Sequence, residues 1–99
     1  MKTTIIGNLS KVEPVETKET YSQQKIEITV QEYDQTNGTA YPPQVFPITI
    51  FNKKIAELKA ENLLAQRVRA TCWLKSLKNE KDDKVFYNVA LNATSLEKC

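Results

Sequence analysis

The sequence predicts an all-β domain, a small barrel of five strands with one short helix between the third and fourth strands. Five segments alternate apolar and polar residues with a period of two, which is typical of strands that bury one face. One segment, Lys53–Glu61, carries apolar residues at helical spacing. The chain has 99 residues, 40% of them hydrophobic and 26% charged, so we expect a single folded domain covering 1–99.

The first two predicted strands are Thr3–Val12 and Tyr21–Tyr33. Apolar residues lie on both faces near the start of the first strand, and Pro14 interrupts it because proline lacks the N–H that a ladder requires. The second strand alternates cleanly. The Asn37-Gly38 pair is a strong turn signal, and with the prolines that follow it predicts a loop of roughly ten residues.

The third predicted strand is Gln44–Asn52, and Pro47 in its middle indicates an edge position or a bulge. Asn52 is also a suitable N-cap for the predicted helix Lys53–Glu61.

The last two predicted strands are Gln66–Leu77 and Val85–Ala93, joined by a charged turn at Asn79–Asp83. The resulting order, β-β-β-α-β-β, is the layout of the OB-fold, a five-stranded and partly open Greek-key barrel. Other small barrels share this order, and a fold by itself does not define a function.

The amino-acid composition excludes several classes of catalytic and metal site. The chain has no histidine, which excludes His-ligated metals, Ser-His-Asp triads and Cys-His nucleophiles. We expect Cys72 to be a small buried hydrophobe that forms no disulfide with Cys99, and Asp82-Asp83 to be a hairpin tip. No catalytic residue, metal or cofactor is expected, so the protein is predicted not to be an enzyme. Without a signal sequence or a long apolar run, we expect it in the cytoplasm, without membrane contact.

Several short motifs resemble those of the bacterial and phage single-stranded DNA-binding protein family. They cover the chain in order and spacing: Ile6-Gly7-Asn8-Leu9, Ile28-Thr29-Val30, Ile50-Phe51-Asn52-Lys53, Arg67-Val68-Arg69-Ala70 and Tyr87-Asn88-Val89. The sequence departs from the family pattern at Val45, where a tryptophan is usual, and at Asn52, where a glycine is usual. The Gly/Gln/Pro-rich acidic tail is also missing after Cys99. The chain therefore resembles a tailless OB-fold member, comparable to a primosomal replication protein or a phage protein.

The resemblance implies a base-stacking role for Phe51, which matches the stacking phenylalanine of the family; the alternative is a core position. Trp73 has two interpretations, a stacking platform or a contact between subunits. Tyr33 and Tyr41 bracket the long loop and are further candidates for closing over a strand. Cations are concentrated in residues 63–79, which contain no acid. The candidate phosphate contacts are Arg67, Arg69, Lys75 and Lys78.

The predicted function is binding of single-stranded DNA, with RNA as an alternative strand, without strong sequence preference. The context would be DNA replication, recombination or repair, with replication or recombination proteins as further partners. The net charge of +2 is modest, so we expect a homo-oligomer, a dimer or a tetramer, in which the first strand pairs with its symmetry mate. The alternative is an OB-fold protein-interaction module, such as a primosome or replisome adaptor. A small oligosaccharide- or toxin-type OB domain is less favoured because such domains are commonly secreted.

Overall fold

A computed structural model describes all residues, Met1–Cys99, as one six-stranded sheet with two short helical segments. The elements are β1 (Lys2–Val12), β2 (Glu16–Thr17), β3 (Ser22–Val30), β4 (Gln44–Phe51), α1 (Lys53–Leu58), a 3₁₀ turn (Ala60–Leu63), β5 (Arg67–Lys81) and β6 (Lys84–Lys98). The five predicted strands correspond to β1, β3, β4, β5 and β6, and β2 is a two-residue addition. The predicted five-stranded OB-fold barrel, with its helix between the third and fourth long strands, is confirmed.

The sheet closes on itself because β1 pairs with two strands. The order is β1-β5-β6-β4-β3-β2, and β1 also pairs with β3. Asn8 is the residue at which both ladders meet, since it pairs with Thr29 on one side and Arg67 on the other. A register shift between Leu9 and Lys11 follows, as expected where a barrel strand bends from one neighbour to the next.

The core lies inside this barrel and comes from the alternating positions that the sequence predicted. The fully buried large side chains are Leu9, Ile26, Ile28, Ile48, Ile50, Val68 and Cys72. Because strand side chains alternate between faces, the residues between them point outward from the barrel. The prediction that Cys72 is buried and free is confirmed.

The close approach of β1 to β3 explains the glycine in the Ile6-Gly7-Asn8-Leu9 motif. A Cβ atom at this position would lie 2.5 Å from the carbonyl oxygen of Thr29 and 3.0 Å from a side-chain carbon of Ile28. Only glycine lets β1 approach β3 this closely.

At Pro47, β4 has a strand partner on one side only. It is the register partner of Glu27 in β3, and that ladder has no register shift, so there is no bulge at Pro47. On the other side, β4 pairs with β6 only at Thr49 and Asn92. Although β4 stands between β3 and β6 in the sheet, Pro47 lies on a stretch of β4 that is paired on one side only, which agrees with the predicted edge position.

The hairpin β5–β6 is much longer than predicted. β5 continues to Lys81 and β6 runs from Lys84 to Lys98, so the predicted turn at Asn79–Asp83 was wrong in extent. The turn consists of Asp82 and Asp83, both with positive φ (52° and 62°). Aspartate tolerates this conformation better than most residues, and a two-residue turn of this type suits a hairpin.

The predicted helix and its cap also need correction. α1 ends at Leu58, because Lys59 adopts a left-handed conformation, and a separate 3₁₀ turn follows. The Asn52 side chain does not cap the helix. Instead, its Oδ1 accepts a hydrogen bond from the backbone N–H of Ser22 (3.0 Å), while the Asn52 N–H donates to the Ser22 carbonyl (2.9 Å). Asn52 therefore stands at the N-cap position, where its carbonyl accepts from the Ile55 N–H (3.1 Å), but its side chain closes the end of the β3–β4 ladder.

Neither helical segment has the length and apolar character that crossing a membrane would require.

Candidate nucleic-acid interface

One row of outward-facing residues crosses the sheet from β3 to β1. Lys25 pairs with Thr49, Thr49 with Asn92, Asn92 with Trp73, and Trp73 with Lys2. Residues paired across neighbouring strands project to the same face of a sheet. The row thus forms one strip on the outside of the barrel, with a lysine at each end; we call it the outer row.

Trp73 is the aromatic side chain of the outer row. It is 45% exposed, and the Nζ of Lys2 lies 4.9 Å from the centre of its ring. A cation at this distance is attracted to the face of the indole ring. The contact limits the freedom of Trp73 and places a positive charge beside a flat, accessible ring.

Phe51 lies two residues beyond the outer row on β4. It is half-buried on the outer face, and the alternative core position is occupied by its neighbour Ile50, which is fully buried. Its ring makes an edge-on contact with Tyr21, at 6.0 Å between centroids and 60° between planes. Such a contact supports the ring at its edge and keeps its orientation, as a stacking platform requires.

Three of the four predicted cations share the outer face of β5 with Trp73. Arg67, Arg69 and Lys75 alternate with the buried core residues of this strand and are all exposed. None of these three side chains forms an ion pair, and neither does Lys2 or Lys25. The four ion pairs of the protein involve other residues. Their charges are therefore not neutralised by an ion pair, although Glu97 is the register partner of Arg69.

Lys78 does not belong to this group. It pairs in register with Tyr87, on the opposite face of the hairpin from Lys75, and its Nζ lies 3.3 Å from Glu80. The odd spacing from Lys75 places it on the other face, so the structure does not bring it to the outer row.

Tyr33 and Tyr41 are also remote from Phe51. They lie in a loop that continues the β3–β4 hairpin beyond Val30 and Gln44, whereas Phe51 stands at the opposite end of this ladder. The loop is ordered by a bridge between Tyr33 and Ala40 and by a hydrogen bond from the Tyr41 N–H to the Glu32 carbonyl (2.9 Å). Both rings are exposed, at 61% and 49%. They would contact a different part of any bound strand.

The structure adds residues that the sequence did not single out. Lys2 and Lys25 join the candidate interface through pairings between strands distant in the chain, and Tyr21 joins it through its ring contact with Phe51; the sequence carries no local signal for either. Tyr87, which the sequence placed in a motif, is exposed on the long hairpin but shares the face of its register partner Lys78, away from the outer row.

One carboxylate lies near Phe51. Glu16 accepts a hydrogen bond from the Nε2 of Gln23 (2.9 Å), and Gln23 is the register partner of Phe51. This hydrogen bond, followed by the positive charge of Lys18, holds the pKa of Glu16 below its usual value. The Lys18 Nζ lies 3.6 Å from the Glu16 Oε2, so this carboxylate is balanced by an ion pair.

The fold is shared with solved single-stranded DNA-binding proteins. The chain is 11% identical to a small single-stranded DNA-binding protein of Streptomyces coelicolor (TM-score 0.69), with 100% of this chain and 94% of that one covered. It is 14% identical to the Plasmodium falciparum protein solved with single-stranded DNA (TM-score 0.69), covering 99% and 93%. A deletion mutant of the Thermus aquaticus protein is also 14% identical (TM-score 0.74), covering 99% of this chain and 49% of that one.

At the level of sequence, no family model and no curated protein matches the chain. The structural similarity spans essentially the whole chain, and it confirms the predicted resemblance at the level of the fold: this is an OB-fold of the kind found in single-stranded DNA-binding proteins.

Proposed function

We propose that the protein binds single-stranded DNA with little sequence preference, using the outer face around the outer row. The observation that carries this proposal is the combination on one face of two outward aromatic rings, Phe51 and Trp73, with cations that form no ion pair. That combination is what single-strand binding needs, since rings stack on bases and cations follow the phosphates. The solved proteins that share the fold add support, because each is a single-stranded DNA-binding protein.

The mechanism involves no covalent chemistry. Every base has a π-face, so stacking on Phe51 and Trp73 does not depend on sequence. Lys2, Arg67, Arg69 and Lys75 neutralise phosphates and release counterions, which makes affinity fall as salt rises. The same contacts accept RNA, so a comparison of the two nucleic acids is part of the test.

The proposed self-association rests on the first part of β1. Because β3 joins β1 only from Asn8 onward and on the side opposite to β5, residues 2–7 have a strand partner on one side only. An unpaired strand edge tends to pair with another edge. We propose that this segment pairs with its symmetry mate to give a homodimer or a tetramer. One OB-fold covers about 4–16 nucleotides, and several linked domains raise the overall affinity.

The context that we propose is protection of single strands in DNA replication, recombination or repair in the cytoplasm, together with proteins of these pathways. A length series of fluorescein-labelled oligo-dT, from about 4 to 16 nucleotides and longer, tests the binding by fluorescence anisotropy. The expected result is affinity that rises with length up to the site size and is much weaker for a duplex of the same length. Equal binding of duplex and single strand contradicts the proposal.

A second candidate function, an adaptor between proteins, is favoured by one observation. The long hairpin exposes Val85, Tyr87 and Val89 on one face of β6, where they form an apolar strip outside the core, while the exposed Phe86 lies on the opposite face. Contiguous exposed apolar side chains are common at protein interfaces. The anisotropy titration separates the two functions, because an adaptor without DNA affinity leaves the labelled oligo-dT free even at low salt.

A further inference from the structure

The outer row contains an asparagine directly beside Trp73. Asn92 of β6 is the register partner of Trp73 in β5, and it also forms the single pairing between β6 and β4, with Thr49. Residues that pair directly across neighbouring strands have Cβ atoms about 4.5–5.5 Å apart. The amide of Asn92 therefore lies within reach of a base that stacks on the Trp73 ring.

The Asn92 amide is free to bind a ligand. Its side chain is half-buried, yet none of the side-chain hydrogen bonds of the protein involves it. Gln24 and Gln66 each have a side-chain oxygen that is fully buried without a partner. Neither amide atom of Asn92 belongs to that group, so both remain accessible to a ligand.

Asparagine is unusual at such a strand position. It is depleted in β-strands, and its short amide competes for the hydrogen bonds of the backbone. Asn92 nevertheless stands where β6 is paired with strands on both sides, and its side chain gains no hydrogen bond there. A residue that contradicts its local structure without a compensating contact is expected mainly at functional sites.

Lys2 and Asn92 flank Trp73 on opposite sides, because β1 and β6 pair with opposite edges of β5. The Nζ of Lys2 lies 4.9 Å from the centre of the Trp73 ring, so the positive charge on the β1 side attracts the phosphate of a nucleotide stacked there. The phosphate and the Watson–Crick edge lie at opposite ends of a nucleotide. A nucleotide with its phosphate near Lys2 therefore turns its Watson–Crick edge towards β6, where Asn92 stands.

An asparagine amide suits the Watson–Crick edge of every base. The amide offers an N–H donor beside an oxygen acceptor. Each base also has a donor next to an acceptor: N6–H and N1 in adenine, N4–H and N3 in cytosine, N1–H and O6 in guanine, N3–H and O4 in thymine. Because rotation of the amide by half a turn exchanges its donor and acceptor, one side chain can pair with all of them. Such a contact gives affinity without sequence preference.

We propose that Asn92 binds the Watson–Crick edge of the base that stacks on Trp73. The inference rests on the proposed single-strand binding, and it adds a residue that recognises the base itself. Unpaired bases offer this edge to side chains. In a duplex the complementary strand occupies the edge, so the contact of Asn92 selects single strands while it tolerates every sequence.

The direct test uses labelled oligo-dT in which the thymines carry a methyl group on N3. The methyl group removes the donor of the Watson–Crick edge, whereas the phosphates and the stacking face of the base remain. Wild-type protein should bind the methylated strand about two- to tenfold more weakly in anisotropy titrations, as expected for one lost hydrogen bond. Equal binding of the two strands overturns the role of Asn92 and leaves the proposed function intact. If unmodified oligo-dT does not bind, the proposed function itself fails.

Two variants assign this effect to Asn92. Asn92→Leu, which has a similar size but no hydrogen-bonding group, should bind oligo-dT more weakly and should no longer distinguish the methylated strand. Asn88→Leu is the matched control, because Asn88 is exposed on the same face of β6 but has Leu77 as its register partner. It should keep the wild-type difference between the strands. Circular dichroism verifies that both variants are folded. Discrimination that persists in Asn92→Leu, or disappears in Asn88→Leu, overturns the proposal.

Asn92→Asp gives a test that does not depend on lost binding. A carboxylate only accepts hydrogen bonds, and guanine presents two neighbouring donors, N1–H and N2–H, on its Watson–Crick edge. The variant should therefore bind oligo-dT strands that contain guanines more tightly than pure oligo-dT, relative to the ratio measured for wild type. An unchanged ratio in Asn92→Asp overturns the proposal.

Discussion

The ammonium group of Lys2 lies 4.9 Å from the centre of the Trp73 ring, and the pairing of β1 with β5 is what brings the two residues together. The contact combines the two elements of single-strand binding, a flat ring and a positive charge, at one point of the outer face. It also restrains the ring before any ligand arrives, so less side-chain freedom is lost on binding.

Replacement of Trp73 by alanine should weaken binding of labelled oligo-dT by about 1–3 kcal/mol, because one base loses its stacking partner. Leu77→Ala is the matched control, since Leu77 is exposed on the same face of β5, four residues further along. Anisotropy measures the affinity, and light scattering measures the oligomeric state. Loss of the oligomer in Trp73→Ala would instead make Trp73 an interface residue between subunits.

Phe51→Ala should reduce the affinity for oligo-dT by about 1–3 kcal/mol and leave its salt dependence nearly unchanged, because stacking releases no counterions. Val45→Ala serves as control, since Val45 lies on the outer face of the same strand but at its opposite end. An affinity for oligo-dT equal in the two variants would place the stacking surface elsewhere.

Arg69→Ala should lower the affinity and also flatten the plot of log affinity against log salt by about 0.7, the contribution of one phosphate contact on a single strand. Lys54→Ala removes the same charge from helix α1 and should leave the slope unchanged. The measurement is a set of anisotropy titrations at several salt concentrations. A slope for Arg69→Ala equal to that of wild type would mean that Arg69 contacts no phosphate.

Gly7→Ala should destabilise the fold by about 3 kcal/mol or more, because the added Cβ would lie 2.5 Å from the backbone oxygen of Thr29. At Gly38, a Cβ meets no atom within 4 Å, but φ is +73°. Gly38→Ala should therefore cost only about 1 kcal/mol, from backbone strain alone. Urea unfolding compares the free energies of unfolding. Equal values for the two variants would contradict the close approach of β1 and β3.

Cys72 should resist alkylation while Cys99 reacts. Burial raises the pKa of the Cys72 thiol from its ordinary value of 9.0 to about 11, so the thiol stays protonated in the folded protein. The stabilisation of the folded state by the protonated Cys72 thiol is complete below the unfolded pKa of about 9. It is lost as pH rises towards 11. Mass spectrometry after iodoacetamide should find one modified cysteine in the native protein and two in urea. Modification of Cys72 in the native state would contradict its burial.

The core was predictable because one buried face imposes a period of two. Ile26, Ile28, Ile48 and Ile50 follow that pattern, and all are buried. The long hairpin was not predictable, since the residues near Asp82 are exposed on both faces and show no alternation. Asn52 stands at the predicted N-cap position, but the role of its side chain was misread because a helix cap and a ladder closure require the same hydrogen-bonding side chain.

The candidate interface was predictable only in part. Alternation along β5 placed Arg67, Arg69, Trp73 and Lys75 on one face, and the structure has them there. Lys2 could not be assigned to Trp73, because the register between β1 and β5 depends on the closed barrel and leaves no local signal. Tyr33 lies far from Phe51 because its loop extends from one end of the β3–β4 ladder and Phe51 stands at the other end. The sequence alone does not show this separation.

The fluorescence of Trp73, the one tryptophan in the chain, gives the most direct test of single-stranded DNA binding. Wild-type protein is titrated with oligo-dT in a series of increasing salt concentrations. The expected result is saturable quenching at low salt, with log affinity falling linearly with log salt by about 0.7 for each phosphate neutralised. If oligo-dT neither quenches Trp73 nor binds at low salt, the protein is not a single-stranded DNA-binding protein.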